Sequence, residues 1–121
     1  MNQQREAVLE EVYALIDKYK DALVLVEGKK DKEALKALGF NRVVTINTSK
    51  PLYKVAEEVK DKRVLLLTDL DKKGKQIYSR LKKDLNKQGV LVDDKLRTLL
   101  FKTELRQIEG LTTYLDKFSK K

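Results

Sequence analysis

Three short apolar runs, each followed by a stretch with helical spacing, constrain this chain more than any other feature. They occupy residues 22–26, 42–46 and 63–68 and are built mainly from valine, leucine and isoleucine. The first and third are nearly continuous, as expected of strands covered on both faces. A strand with one wet face would alternate instead. Helical periodicity fills the intervals. Val8, Val12, Leu15, Ile16 and Tyr19 recur at spacings of three and four, which predicts an amphipathic helix over residues 3–20. Residues 30–38 set Ala34, Leu35 and Leu38 on one face, with Gly39 as the stop. Thr48 and Ser49 offer capping hydroxyls ahead of Pro51, which opens a helix running to about residue 60. Ile77, Leu81 and Leu85 fall on every fourth position of a helix over residues 72–86. Residues 89–92 read as a short fourth strand, and residues 95–118 as a helical tail broken near Gly110.

The order is a helix, four strands alternating with three helices, and a helical tail. That pattern predicts an α/β chain: a four-stranded parallel sheet with helices on both faces, joined by right-handed crossovers. Its 121 residues suit one domain. The core is expected at about residues 20–93, with the first helix and the 95–118 extension as additions. No linker, low-complexity segment or internal repeat interrupts it.

Composition narrows the chemistry. The chain has no Cys and no His. Disulfides, thiolate sites and Ser-His machinery are excluded, and so is the commonest transition-metal ligand. Only oxygen-ligand cations remain: Mg²⁺, Mn²⁺ or Ca²⁺. The formal net charge is +8, a balance that favours polyanionic partners. High charge, one Met and nine Asn plus Gln also suit a thermophile. The polar N-terminus lacks the apolar stretch of a signal peptide, and no apolar run approaches a membrane span. A soluble cytoplasmic protein is the expectation, with no membrane partner.

Carboxylates stand where chemistry is usually placed. Glu27 directly follows the first apolar run, and Asp69 and Asp71 follow the third. In an open parallel sheet the usable crevice lies beyond the carboxyl ends of the strands, at a topological switch point. If the first and third strands are neighbours, all three acids share that crevice. Asp31 either reaches the same crevice or favours the N-terminus of its helix electrostatically. Clustered carboxylates repel unless a cation offsets them, and Mg²⁺ typically takes one or two carboxylates. Gly28 and Gly74 permit close backbone approach or tight strand-to-helix turns.

Lys29 and Lys30 follow Glu27, and Lys72, Lys73 and Lys75 follow Asp71. Cations are unfavourable at helix N-termini, so these five are candidates for phosphate contact. Arg80, Lys82, Lys83 and Lys87 read as a solvated helix face, while Arg97, Lys102 and Arg106 either extend a nucleic-acid track or form a solvated face, the second being the preferred reading. The five tyrosines fall mostly in helical patterns and read as packing residues. Aromatics are not interleaved with the basic residues, so no platform for stacking bases is visible.

Two segments resemble motifs of the Toprim domain family. Val26-Glu27-Gly28-Lys29-Lys30-Asp31-Lys32-Glu33-Ala34-Leu35 is similar to the first motif. Leu67-Thr68-Asp69-Leu70-Asp71-Lys72-Lys73-Gly74 is similar to the second. The resemblance spans about residues 20–93 and is strongest to small stand-alone archaeal Toprim proteins and to ribosomal RNA-maturing Toprim ribonucleases. It implies a Rossmann-like fold, with Glu27 as general acid/base in phosphodiester chemistry. It implies Asp69 and Asp71 as Mg²⁺ ligands, with Glu27 and Asp31 as further ones and Mn²⁺ as an alternative ion. A complete primase, with its zinc segment, or a topoisomerase, with its tyrosine-bearing domain, is not expected from these residues.

The leading expectation is a Mg²⁺-dependent nucleic-acid-processing protein with nuclease-like or phosphotransfer chemistry on RNA or DNA. The alternative is a non-catalytic nucleic-acid-binding module acting with protein partners in a larger processing complex. A phosphoacceptor receiver domain also carries acids after its first and third strands. The Glu-Gly wording, the Asp-x-Asp-x-x-Gly wording and the lack of a clear fifth strand ending in Lys argue against it.

Overall fold

The computed structural model describes residues 3–47 and 49–118. Helix α1 (Gln3–Lys18) leads into strand β1 (Leu23–Val26). Then come α2 (Lys29–Ala37), β2 (Arg42–Thr45), α3 (Leu52–Glu57), β3 (Arg63–Leu66), α4 (Lys72–Lys87) and β4 (Leu91–Val92). The chain ends with α5 (Lys95–Leu100), a 3₁₀ turn (Ile108–Gly110) and α6 (Leu111–Lys117). The strands form one parallel sheet in the order β2-β1-β3-β4. β1 and β3 are neighbours, with Val24 opposite Leu65 and Leu25 opposite Leu66. The order reverses direction between them, so the switch point lies where the candidate acids emerge.

Period-two alternation sorts the strand residues into two cores. Val24, Val26, Val43 and Leu65 pack against α1, α2, α5, the 3₁₀ turn and α6 through Val12, Leu35, Leu100, Ile108 and Leu111. Leu23, Leu25, Val64, Leu66 and Val92 pack on the other face against Val55 and Ala56 of α3 and Leu81 and Leu85 of α4. Both faces of the central strands β1 and β3 are covered, as their continuous apolar runs predict, while Val44 on edge strand β2 and Leu91 on edge strand β4 stay exposed. Buried Tyr19 stitches the end of α1 to the end of β4, its hydroxyl donating to Asp93 Oδ2 at 2.7 Å.

The helices before β2 and β4 end in the same way. After α2, Gly39 N–H bonds to Lys36 O and Phe40 N–H to Leu35 O. After α4, Gly89 N–H bonds to Asn86 O and Val90 N–H to Leu85 O. Both glycines have positive φ, 108° and 84°, as this terminating motif requires. Because Gly89 belongs to that cap, β4 is shorter than the expected 89–92.

Two other expectations change. α3 stops at Glu57, where Val59 N–H bonds to Ala56 O and turns the Val59 side chain into the core. Its N-cap is Pro51, without a side-chain cap, and the Ser49 hydroxyl donates to Asn47 Oδ1 instead. Thr48, the other expected capping residue, lies outside the described residues.

The C-terminal tail is interrupted over residues 101–107, well before Gly110. Thr103 causes this. Its hydroxyl donates to Leu100 O and accepts from Leu105 N–H, closing off α5. Among the described residues, no helix is long and apolar enough to cross a membrane.

Candidate metal centre

Glu27 leaves the end of β1 and reaches across to the chain leaving β3. Its Oε2 accepts the Asp69 N–H at 2.8 Å. The expected meeting of the two strand ends therefore exists as a direct hydrogen bond. Asp71 caps α4, its Oδ1 accepting from Gly74 N–H at 2.8 Å. Asp31 folds back on the start of α2, with Oδ2 accepting from Gly28 N–H at 3.0 Å. Asp69 Oδ1 accepts from Ile108 N–H at 2.8 Å.

The four carboxylates share one pattern. Each is fixed by one oxygen to a backbone N–H. Among the described residues, no hydrogen bond reaches the other oxygen, and none of the four pairs with a lysine or arginine side chain. The result is a set of oriented oxygen donors with no direct ion-pair partner among the described residues.

Burial and mutual repulsion follow. Asp31 is buried and its carboxyl is pushed up to about 6, first by burial and then by the charge of Asp69. Asp69 is also raised, mainly by burial. Asp71 and Glu109 add to the rise, while the Ile108 N–H and Arg97 oppose it. Asp31 tethers the start of α2 and lies within electrostatic reach of the acids at the strand ends. The oxygen-only donor set fits a hard cation such as Mg²⁺. No three of these acids are close-set enough among the described residues to form a ready-made cage. Mg²⁺ rarely uses one, since it keeps several waters.

Gly74 is needed at its position for a reason internal to the protein. A Cβ there would overlap the Asp69 carbonyl group. The first turn of α4 presses directly on the turn that carries the acids, and the Thr68 hydroxyl donates to Gly74 O at 2.8 Å. Gly28 differs. Its backbone is extended, and a Cβ would meet Asp31 Oδ2 only at an ordinary 3.7 Å. Nothing in the protein itself demands glycine at 28.

Lys29 and Lys30 in the first turn of α2, and Lys72, Lys73 and Lys75 in the first turn of α4, are all exposed. Among the described residues none of them forms an ion pair. They border the acids from two sides.

Arg97 corrects the sequence reading, which left it between a nucleic-acid track and a solvated helix face and preferred the second. It is buried, and its guanidinium donates from Nη1 to Thr68 O and from Nη2 to Asp69 O at 3.1 Å. It also lies over the Tyr78 ring at 4.4 Å and the Phe101 ring at 5.3 Å. The position between Leu96 and the Leu99-Leu100 pair on a short helix was the available signal. Ile108 and Arg106 add backbone support, since Leu70 N–H bonds to Arg106 O at 2.7 Å. Backbone donors and acceptors of this kind leave no trace in side-chain pattern.

Comparison with known proteins agrees with this geometry. The Toprim domain profile matches residues 21–94. A UPF0292 protein of Methanocaldococcus jannaschii is 32% identical over 118 residues, covering 93% of this chain and 92% of that protein. A UPF0292 protein of Archaeoglobus fulgidus is 31% identical over 100 residues, covering 80% and 79%. Among solved structures, a protein from Aquifex aeolicus superposes with a TM-score of 0.74 at 36% identity, covering 84% of this chain and 96% of that one. Toprim membership implies metal-dependent nucleic-acid processing at the level of the family. With the acids at the ends of adjacent strands β1 and β3 and the profile spanning the whole sheet, the chain belongs to the Toprim domain family.

Proposed function

We propose that this chain is a Mg²⁺-dependent nuclease-like protein acting on phosphodiester bonds of RNA or DNA. The observation that carries the reading is the Glu27 to Asp69 hydrogen bond across the switch point. It sets a carboxylate with one uncommitted oxygen beside a second pair of acids. Asp69 and Asp71 are the residues that would hold Mg²⁺, with Glu27 and Asp31 in support, and Mn²⁺ would suit the same donors. When bound, the ion would supply polarisation of a phosphoryl oxygen and neutralise developing charge.

The remaining tasks fall to the chain. Glu27 Oε1 is the group to take a proton from a nucleophile or return one to a leaving oxygen. Its other oxygen, held on the Asp69 N–H, fixes the carboxylate direction. Exposed Lys29, Lys30, Lys72, Lys73 and Lys75 would bind flanking phosphates and orient the strand over the acids.

The test is cleavage of end-labelled RNA and DNA in Mg²⁺ or Mn²⁺. Glu27→Gln keeps an acceptor for the Asp69 N–H and removes the proton carrier. Asp69→Asn keeps the side-chain shape and removes a charged ligand. The expected result is cleavage by wild type and a fall of at least about 100-fold in each variant, with nucleic-acid binding retained in Glu27→Gln. Equal turnover in all three would overturn the reading. Binding without turnover in wild type would favour a non-catalytic module.

A further inference from the structure

Helix α4 carries seven cations and one acid in its 16 residues. The acid, Asp84, is mostly buried and faces Arg80, 3.9 Å from its Nε. Lys72, Gln76, Ser79 and Lys83 follow one another at steps of four, three and four, so they share a face. On that face lies a shallow groove of about 580 Å³, lined by Lys72, Lys75, Gln76, Ser79, Arg80 and Lys83. Every lining side chain is cationic or neutral and polar. A second groove shares Lys75 and Ser79 with the first but differs in lining, since Tyr78, Phe101 and the acid Asp94 border it, and it is not part of the track. The first groove starts at Lys72, the residue after the candidate ligand Asp71. Lys72 to Lys83 spans about 17 Å, the rise of roughly five base pairs.

We propose that this face of α4 is the track along which the nucleic-acid backbone leaves the acid centre, with Arg80 and Lys83 as distal phosphate contacts. The proposal rests on the nucleic-acid reading above and adds a direction to it. Charge complementarity selects the occupant, since an acid-free groove lined by Lys and Arg and rimmed by Ser and Gln hydroxyl and amide groups matches a row of phosphates. The lysines of the first turn hold the phosphates next to the acids. Arg80 and Lys83 hold those farther along. The face offers no aromatic side chain for base stacking, so contact is with the backbone and is insensitive to sequence.

The test measures binding of one labelled sequence, as RNA and as DNA, across a salt series. The proteins compared are wild type, the double variant Arg80→Gln/Lys83→Gln and a control double variant Lys18→Gln/Lys36→Gln. The control removes the same charge from exposed positions on α1 and α2.

The expected result is affinity at least about tenfold weaker for Arg80→Gln/Lys83→Gln, with a salt slope shallower by about 1.4 for single strands or 1.8 for duplex. The control should retain the wild-type slope. Equal losses in both variants, or an unchanged slope in the α4 variant, would overturn the track while leaving the nucleic-acid reading intact. Failure of wild type to bind either polymer at low salt would overturn both. A loss confined to RNA or to DNA would support the track and name its occupant.

Discussion

Gly74 shows how a single residue ties helix to site. Alanine in place of glycine inside a helix ordinarily stabilises by about 1 kcal/mol. Here the added methyl would collide with the Asp69 carbonyl group, which cannot retreat. Asp69 is held by its N–H on Glu27, its carbonyl on Arg97 and its carboxylate on Ile108. Gly74→Ala is therefore expected to destabilise by about 2–3 kcal/mol, the sign opposite to helix propensity. Urea unfolding of the two proteins decides it, and a neutral or stabilised variant would show that the contact is not rigid. The sequence leaves Gly74 between close backbone approach and a tight strand-to-helix turn, and the contact with the Asp69 backbone is of the second kind. That distinction was illegible because it depends on how tightly α4 docks on the turn after β3. At Gly28 the same residue type carries no such constraint.

Among the elements, the strands and α4 were the most legible, because continuous apolar runs and a four-residue repeat are set by burial alone. The C-terminal extension was the least. Its break is made by the Thr103 hydroxyl, and its 3₁₀ turn is drawn to the site by the Ile108 N–H. Neither has a periodic signature. Short α5 follows the same logic. Arg97 looks like a surface charge beside Lys95 and Lys102, yet it carries the link between α5 and the turn after β3. Removing it would leave buried Thr68 O without this donor and take the cation off Tyr78 and Phe101. Arg97→Ala is expected to cost about 3 kcal/mol. Arg97→Lys should recover less than half, because one ammonium lacks the planar fork that serves two carbonyls at once. Equal stability of the Lys variant and wild type would mean that charge alone matters there.

At the scale of the molecule, a net charge of +8 coexists with four carboxylates gathered at one end of the sheet. Four of the 19 acids gather where β1 and β3 end, and five lysines stand in the first turns of α2 and α4. Burial of the acids makes stability depend on pH. Asp31 has an ordinary value of 3.8 and rises to about 6 in the folded chain. Between those values the folded state holds a proton that the unfolded state has released. This contribution is fully present below pH 3.8 and is lost as pH rises through about 6. The difference is worth up to roughly 3 kcal/mol. In EDTA, wild type should therefore lose stability relative to Asp31→Asn as pH rises from 4 to 7, since Asn keeps an acceptor for Gly28 N–H without ionising. Saturating Mg²⁺ at pH 7.5 should restore much of the wild-type deficit, because a ligand bound only to the folded state stabilises it. Thermal unfolding of both proteins with and without Mg²⁺ measures each arm. Parallel pH curves in EDTA would remove Asp31 from the cluster. A Mg²⁺ gain that is absent from wild type would separate the acids' repulsion from any metal-binding purpose.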